Sequence, residues 1–93
     1  MYVSVGDIYF KCPVTSFAQA FSSLSPSKGS VYVYSFEFRT STNPWPRWMG
    51  VMHAYEIESV MGLPFNPALN YTEADRNMSK EVMSLWTNFA KTG

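Results

Sequence analysis

Val31-Tyr32-Val33-Tyr34-Ser35-Phe36-Glu37-Phe38 is the stretch on which the reading of the fold turns. In an extended chain Tyr32, Tyr34, Phe36 and Phe38 point to one side and Val31, Val33, Ser35 and Glu37 to the other. The first half is apolar on both faces, as in a strand inside an α/β sheet with a layer above and below it. Upstream, Pro13 suits a first helical position, where its missing N–H is not needed. Val14, Phe17, Ala18, Phe21 and Leu24 follow at spacings of three and four, one apolar face of a helix. Ser25-Pro26-Ser27-Lys28-Gly29 ends that helix in a turn. The helix supplies one covering layer for the strand, and the chain offers few candidates for the rest. The opening residues 1–12 are apolar with little period. There Val3, Val5, Ile8, Tyr9 and Phe10 fit either a buried strand end or a kinked helix.

Downstream, residues 39–52 read as a loop, because Pro44, Pro46 and Gly50 block both helix and central strand. This loop nonetheless carries Trp45, Trp48, Met49 and Met52, more apolar mass than a solvent-facing loop tolerates freely. Residues 56–61 read as a short helix stopped by Gly62 and Pro64. Residues 69–93 hold the strongest helical signal. Thr72-Glu73-Ala74-Asp75 has the form of a capping box, and Met78, Val82, Leu85, Trp86 and Phe89 share a face. Lys91 lies in the last turn and Gly93 just past it. The sequence shows no internal repeat and no low-complexity tract.

The composition sharpens the question of what covers these faces. The chain has 93 residues with seven Lys+Arg against seven Asp+Glu, 46% hydrophobic, 17% aromatic and 15% charged. The charged share is low against the ~25% of soluble domains, so much of the apolar surface is expected to meet protein not present in this chain. The neutral balance argues against a nucleic-acid partner, which would need a basic stripe. No apolar run approaches the ~20 residues of a membrane span. The first residues show no charged-then-apolar leader. The aromatic content argues against a disordered tail.

His53 is the only histidine, on the loop that follows the expected strand. Reactive groups of open α/β sheets gather at the carboxyl ends of strands, and an imidazole there can act as general base. From spacing alone, a half-buried His packed among aromatics is the commoner outcome, since no serine stands in a Gly-x-Ser-x-Gly elbow to partner it. Glu56 and Glu58 are close enough in sequence to orient the imidazole, although such local pairs are usually incidental. Trp45, Trp48, Met49, Met52 and Tyr55 cluster around His53. Aromatic faces attract quaternary ammonium cations, and plain packing explains most such clusters. Cys12 is alone, so it is either a small buried thiol or half of a disulfide whose partner lies elsewhere. One His and one Cys cannot build a structural zinc site, and no metal is expected. Asn70-Tyr71-Thr72 and Asn77-Met78-Ser79 are N-glycosylation triplets, Asn70 the better placed because it precedes a helix cap. The triplets favour the disulfide reading of Cys12.

The order of these motifs resembles the cholinesterases of the type-B carboxylesterase family. The likeness covers almost the whole chain. It is carried by Val5-Gly6-Asp7-Ile8-Tyr9-Phe10-Lys11-Cys12-Pro13, by residues 31–39, by Leu69-Asn70-Tyr71-Thr72 and by residues 86–93. Its most specific part is Pro44-Trp45-Pro46-Arg47-Trp48-Met49-Gly50-Val51-Met52-His53-Ala54-Tyr55-Glu56-Ile57-Glu58. The resemblance implies an α/β-hydrolase fold of which residues 1–93 are a part, incomplete at both ends: a helix, a late central-sheet strand, the catalytic-His loop and a long helix. It implies that His53 is the triad histidine, with the nucleophilic Ser, the acid and the oxyanion hole upstream. Trp45, Met49, Met52 and Tyr55 would line the choline-binding gorge. Cys12 would pair with a downstream cysteine and Asp7 with a downstream arginine, and Asn70 would carry a glycan.

The implied parent is a serine esterase of choline esters, acetylcholine foremost, needing no cofactor. It would be extracellular, secreted or anchored at the cell surface as at a synapse, with no membrane span of its own in this chain. A homo-oligomeric parent is compatible with the likeness. These residues alone are expected to be inactive, because the nucleophile is missing, and to fold poorly by themselves. Four positions depart from the family pattern: Ala54 replaces a usual Gly, Ser59 and Met61 stand where Phe is common, and Arg47 replaces an acidic residue. Two other readings stay open: a cholinesterase-like adhesion protein without the nucleophile, and a general carboxylesterase.

Overall fold

The computed structural model describes residues 5–24 and 29–93. They fall in two units, Met1–Ser35 and Phe36–Gly93. The expected turn over residues 25–28 and the assignment of Val3 lie outside the described residues.

In the first unit, a π-helical turn, Asp7–Lys11, runs directly into α1, Cys12–Leu24. Of the two readings for the opening segment, the helical one holds over its described residues, 5–12. The helix therefore starts before Pro13 rather than at it. A proline inside a helix loses one N–H bond, and its ring crowds the carbonyl four residues back. The wider turn just upstream accommodates this: the Cys12 N–H donates to the Asp7 carbonyl, five residues back, and such bulges relieve a local conflict in the ladder. The expected apolar face of α1 is present but uncovered. Phe17 and Leu24 are 71% and 82% exposed, and Phe17 and Phe21 stack on each other with centroids 6.0 Å apart.

The expected strand over residues 31–38 does not form, and the described residues contain no strand. The boundary between the two units falls inside this stretch. A strand exists only through a ladder with a neighbour, which satisfies its N–H and C=O groups. Among the described residues no second strand pairs with it, and Tyr32 and Tyr34 stand 68% and 58% exposed. The α/β architecture expected from the pattern is thus replaced, among these residues, by helices and turns.

In the second unit a 3₁₀ turn, Arg47–Met49, precedes α2, Glu56–Val60. A second 3₁₀ turn, Leu63–Phe65, leads to α3, Glu73–Thr92. Gly62 ends α2 in the left-handed region, φ 72°, where a residue without Cβ is unstrained. A Cβ there would also meet the Met83 sulfur at 3.4 Å. The capping box is complete: Thr72 Oγ1 accepts from the Asp75 N–H, and the Asp75 carboxylate accepts from the Thr72 N–H. At the other end the Gly93 N–H donates to the Phe89 carbonyl at 2.9 Å.

The short α2 packs on α3 through small polar residues. Ser79 Oγ donates to the Ser59 carbonyl at 2.6 Å, and both serines are fully buried. Val82 is the buried hydrophobic residue of this contact, whereas Leu85, Trp86 and Phe89, on the same face of α3, are 50–62% exposed. The stripe predicted for α3 is therefore covered only in its first half, where α2 lies.

Candidate functional site

The segment bearing His53 is held in shape by one arginine. Arg39 Nη1 donates to the Gly50 carbonyl at 3.3 Å, and Nη2 donates to the carbonyls of Asn43, at 3.1 Å, and Trp45. Asn43 adds a local turn, its Oδ1 accepting from the Trp45 N–H at 3.0 Å, the habit that places Asn in loops. The 3₁₀ turn closes with Met49 N–H to Pro46 O and Gly50 N–H to Arg47 O. Gly50 adopts φ 65°, ψ −139°, a backbone state essentially confined to glycine. Arg39 thus braces the loop through its main-chain oxygens.

His53 follows in an exposed turn, in which the Tyr55 N–H donates to the Met52 carbonyl at 3.3 Å. The half-buried position expected from spacing alone is not the one observed. The next residue, Ala54, has φ 69°, the left-handed region that costs a residue with a Cβ about 1–2 kcal/mol. At the position where the resemblance expects glycine, the backbone adopts a glycine-like conformation with alanine in place.

Trp45 is 48% exposed, and Met49, Met52 and Tyr55 are half-buried. All four stand on the braced segment and the turn that follows it. A polar cavity of about 500 Å³ opens on this unit, but it is lined by Arg39, Thr40, Ser41, Asn43 and Arg47 and not by the aromatic candidates. Glu58 accepts from the Tyr71 hydroxyl at 2.8 Å. Burial first, and then the Glu58 contact, raise the Tyr71 phenol above its ordinary value. Glu56 lies half-buried in the first turn of α2.

Two functional supports were not visible in the sequence. Asp75, recognised only as a cap, is 1% exposed. Besides the Thr72 N–H and hydroxyl, it accepts the Ser41 N–H at 2.9 Å and the Ser41 hydroxyl. Burial alone pushes its carboxyl up, but the Ser41 and Thr72 hydrogen bonds outweigh it and hold the pKa below the usual value. Arg39 as loop brace was likewise missed. Contacts to main-chain oxygens leave no side-chain pattern to read.

Cys12 is exposed and free, so the buried-thiol reading fails. Asp7 is half-buried and pairs at 3.8 Å with Lys11, one turn on, an exposed contact of little energetic weight. Asn70 and Asn77 are both exposed. Among the described residues no group of three His, Cys, Asp or Glu is placed to hold a metal ion, and no helix is long and apolar enough to cross a membrane.

The model of the carboxylesterase family matches residues 1–93, the whole chain. This chain belongs to the carboxylesterase family. It is 46% identical over 89 residues to a cholinesterase of Mus musculus, covering 96% of this chain and 14% of that protein. It is 48% identical over 89 residues to an acetylcholinesterase of Gallus gallus, covering 96% of this chain and 11% of that protein. This carboxylesterase-family chain thus spans about one seventh or less of the length of the curated relatives it matches.

Proposed function

We propose that these 93 residues form the histidine-bearing part of a serine esterase that hydrolyses choline esters, acetylcholine foremost. The carrying observation is the 46–48% identity to a cholinesterase and an acetylcholinesterase through the segment that contains His53. In this reading His53 accepts the proton of a serine hydroxyl as that oxygen attacks the ester carbonyl. It then returns the proton to the departing alcohol oxygen, so that an acyl-enzyme forms and is hydrolysed. A carboxylate elsewhere in the polypeptide orients the imidazole, and the oxyanion is met by backbone amides of the same larger domain. Trp45, Met49, Met52 and Tyr55 contribute aromatic and polarisable surface for the quaternary ammonium group. Trp45 is still 48% exposed, which suits a surface that closes on protein outside this chain.

The same reading assigns Cys12 to a disulfide with a cysteine outside the chain, Asp7 to an arginine outside it, and glycans to Asn70 and Asn77, consistent with an extracellular protein. The exposure of Cys12, Asn70 and Asn77 supports these roles.

The test is an assay of the longer polypeptide that carries this segment, with a thiocholine ester and a simple aliphatic ester. Thiocholine release with an acylation burst is expected, and His53→Gln should lower it by roughly six orders of magnitude. Equal turnover of both esters would point to a general carboxylesterase. Hydrolysis of neither would leave a binding protein of the same fold. The 93 residues alone should show no burst.

A further inference from the structure

We infer that Arg39 is a positioning residue for recognition of the cationic end of the ester, and that it takes no part in the proton transfers. This role rests on the proposed reading of Trp45 and Met49 as part of the ammonium surface. Arg39 is half-buried, and its guanidinium holds both ends of one stretch of chain. Nη2 donates to the carbonyls of Asn43 and Trp45, and Nη1 donates to that of Gly50. Trp45 and Gly50 are thereby pinned to one rigid, planar group. Between them the ring of Pro46 fixes φ, and the 3₁₀ turn Arg47–Met49 ends on Gly50. The backbone bonds of that turn close Pro46 onto Met49 and Arg47 onto Gly50. The Trp45 carbonyl is tied to the far end of the segment through Arg39.

Trp45 and Met49 both stand within the pinned segment. A loop that is already in shape presents such side chains to a guest without the ordering cost that otherwise subtracts from affinity. His53 lies beyond the pinned segment. It sits in a separate turn, closed by the Tyr55 N–H on the Met52 carbonyl at 3.3 Å. Loss of the guanidinium therefore loosens the surface at Trp45 and Met49 and leaves the turn of the imidazole in place. Lysine does not substitute, because an ammonium on a flexible stem lacks the fork that spans separate carbonyls. The sign of the effect is also diagnostic. By charge alone, removal of a cation favours a cationic guest, so a weakened one reports the lost shape.

The longer polypeptide that carries this segment is assayed with acetylthiocholine and with its uncharged carbon isostere, S-(3,3-dimethylbutyl) thioacetate. In Arg39→Gln and Arg39→Lys the ratio of the two KM values should move against the cationic ester by about fivefold, the scale of a cation–π contact. The pH profile of kcat should stay as in the wild type. Gly50→Ala leaves the arginine in place but cannot keep φ 65°, ψ −139°, so it releases one end of the grip and should move the ratio the same way. It also carries the test if the Arg39 variants do not fold. Trp45→Ala, in the same assay, reports on the ammonium surface itself. A ratio that moves in Trp45→Ala but in none of the other variants leaves that surface standing and overturns the role of Arg39. A ratio unmoved in Trp45→Ala overturns the surface and this role together, as does a wild type that hydrolyses neither ester. An altered pH profile of kcat in Arg39→Gln would mean that the arginine acts through His53, against the proposal.

Discussion

Ser41 gives both its backbone N–H, at 2.9 Å, and its hydroxyl to the carboxylate of Asp75, 34 residues further along the chain. The same carboxylate caps α3. One side chain thus joins the start of the loop that leads to His53 to the first turn of the longest helix. Asp75→Ala should remove both functions at a cost of about 2–3 kcal/mol, the range for hydrogen bonds to a charged group. Ser41→Ala removes only one arm and should cost less than half of that. Amide hydrogen exchange at Ser41 and Thr72 separates the two. Both sites should lose protection in Asp75→Ala, and chiefly Ser41 in Ser41→Ala.

The same carboxylate sets a dependence on acid. The folded pKa of Asp75 lies below its unfolded value, so the unfolded form binds its proton first as pH falls. The stabilisation is complete above the ordinary aspartate value and drains away as pH drops through the lower folded value. Helix content measured from pH 6 to pH 2 should fall at the acid end in the wild type. Asp75→Asn should be less helical at pH 6 and show a flatter acid limb. An acid limb identical in both proteins would assign the transition to another group.

Ala54 should respond to loss of its methyl group. Its φ of 69° carries the left-handed penalty, partly offset in a glycine variant by greater freedom of the unfolded chain. Ala54→Gly is expected to stabilise by up to about 1 kcal/mol, whereas Ala54→Val should destabilise, because a branched Cβ tolerates this region least. Denaturant midpoints of the longer polypeptide that carries this segment should rank Gly above Ala above Val. A destabilised glycine variant would contradict the strain.

Ser59 is fully buried, and its hydroxyl has no partner, while its carbonyl accepts from Ser79. Ser59→Ala keeps the carbonyl and deletes the unmet hydroxyl, so it should be neutral or stabilising by about 1 kcal/mol. Ser79→Ala breaks the link between α2 and α3 and should cost about 1 kcal/mol. Proteolytic susceptibility of the α2–α3 connection should rise in the second variant only.

Much of the second unit was legible in the residues. Gly62 and Pro64 stopped α2, and Thr72 with Asp75 announced the start of α3, because caps and breakers act within a few residues of themselves. His53 was legible as the only imidazole on an aromatic loop. The residues that shape that loop were not, since Arg39 grips main-chain oxygens and Ser41 reaches across 34 positions. The strand over residues 31–38 failed for the opposite reason. Its alternation is a true local preference, but a strand is a property of a pair, and among the described residues no second strand completes it. The exposure of Leu85, Trp86 and Phe89 on α3 has the same origin. A dye that fluoresces on apolar surfaces should bind the isolated 93 residues strongly, and heating should give no sharp transition. A cooperative melt without dye binding would mean that these faces find cover within the chain itself.

Because Arg39 grips only the peptide oxygens of residues 43, 45 and 50, the shape of the loop does not depend on which side chain position 45 presents. On the proposed reading of Trp45 as part of the ammonium surface, evolution is therefore at liberty to alter that side chain, and with it the choice of guest, without dismantling the frame that displays it. A lineage could retune what it recognises one residue at a time, provided position 39 keeps its guanidinium.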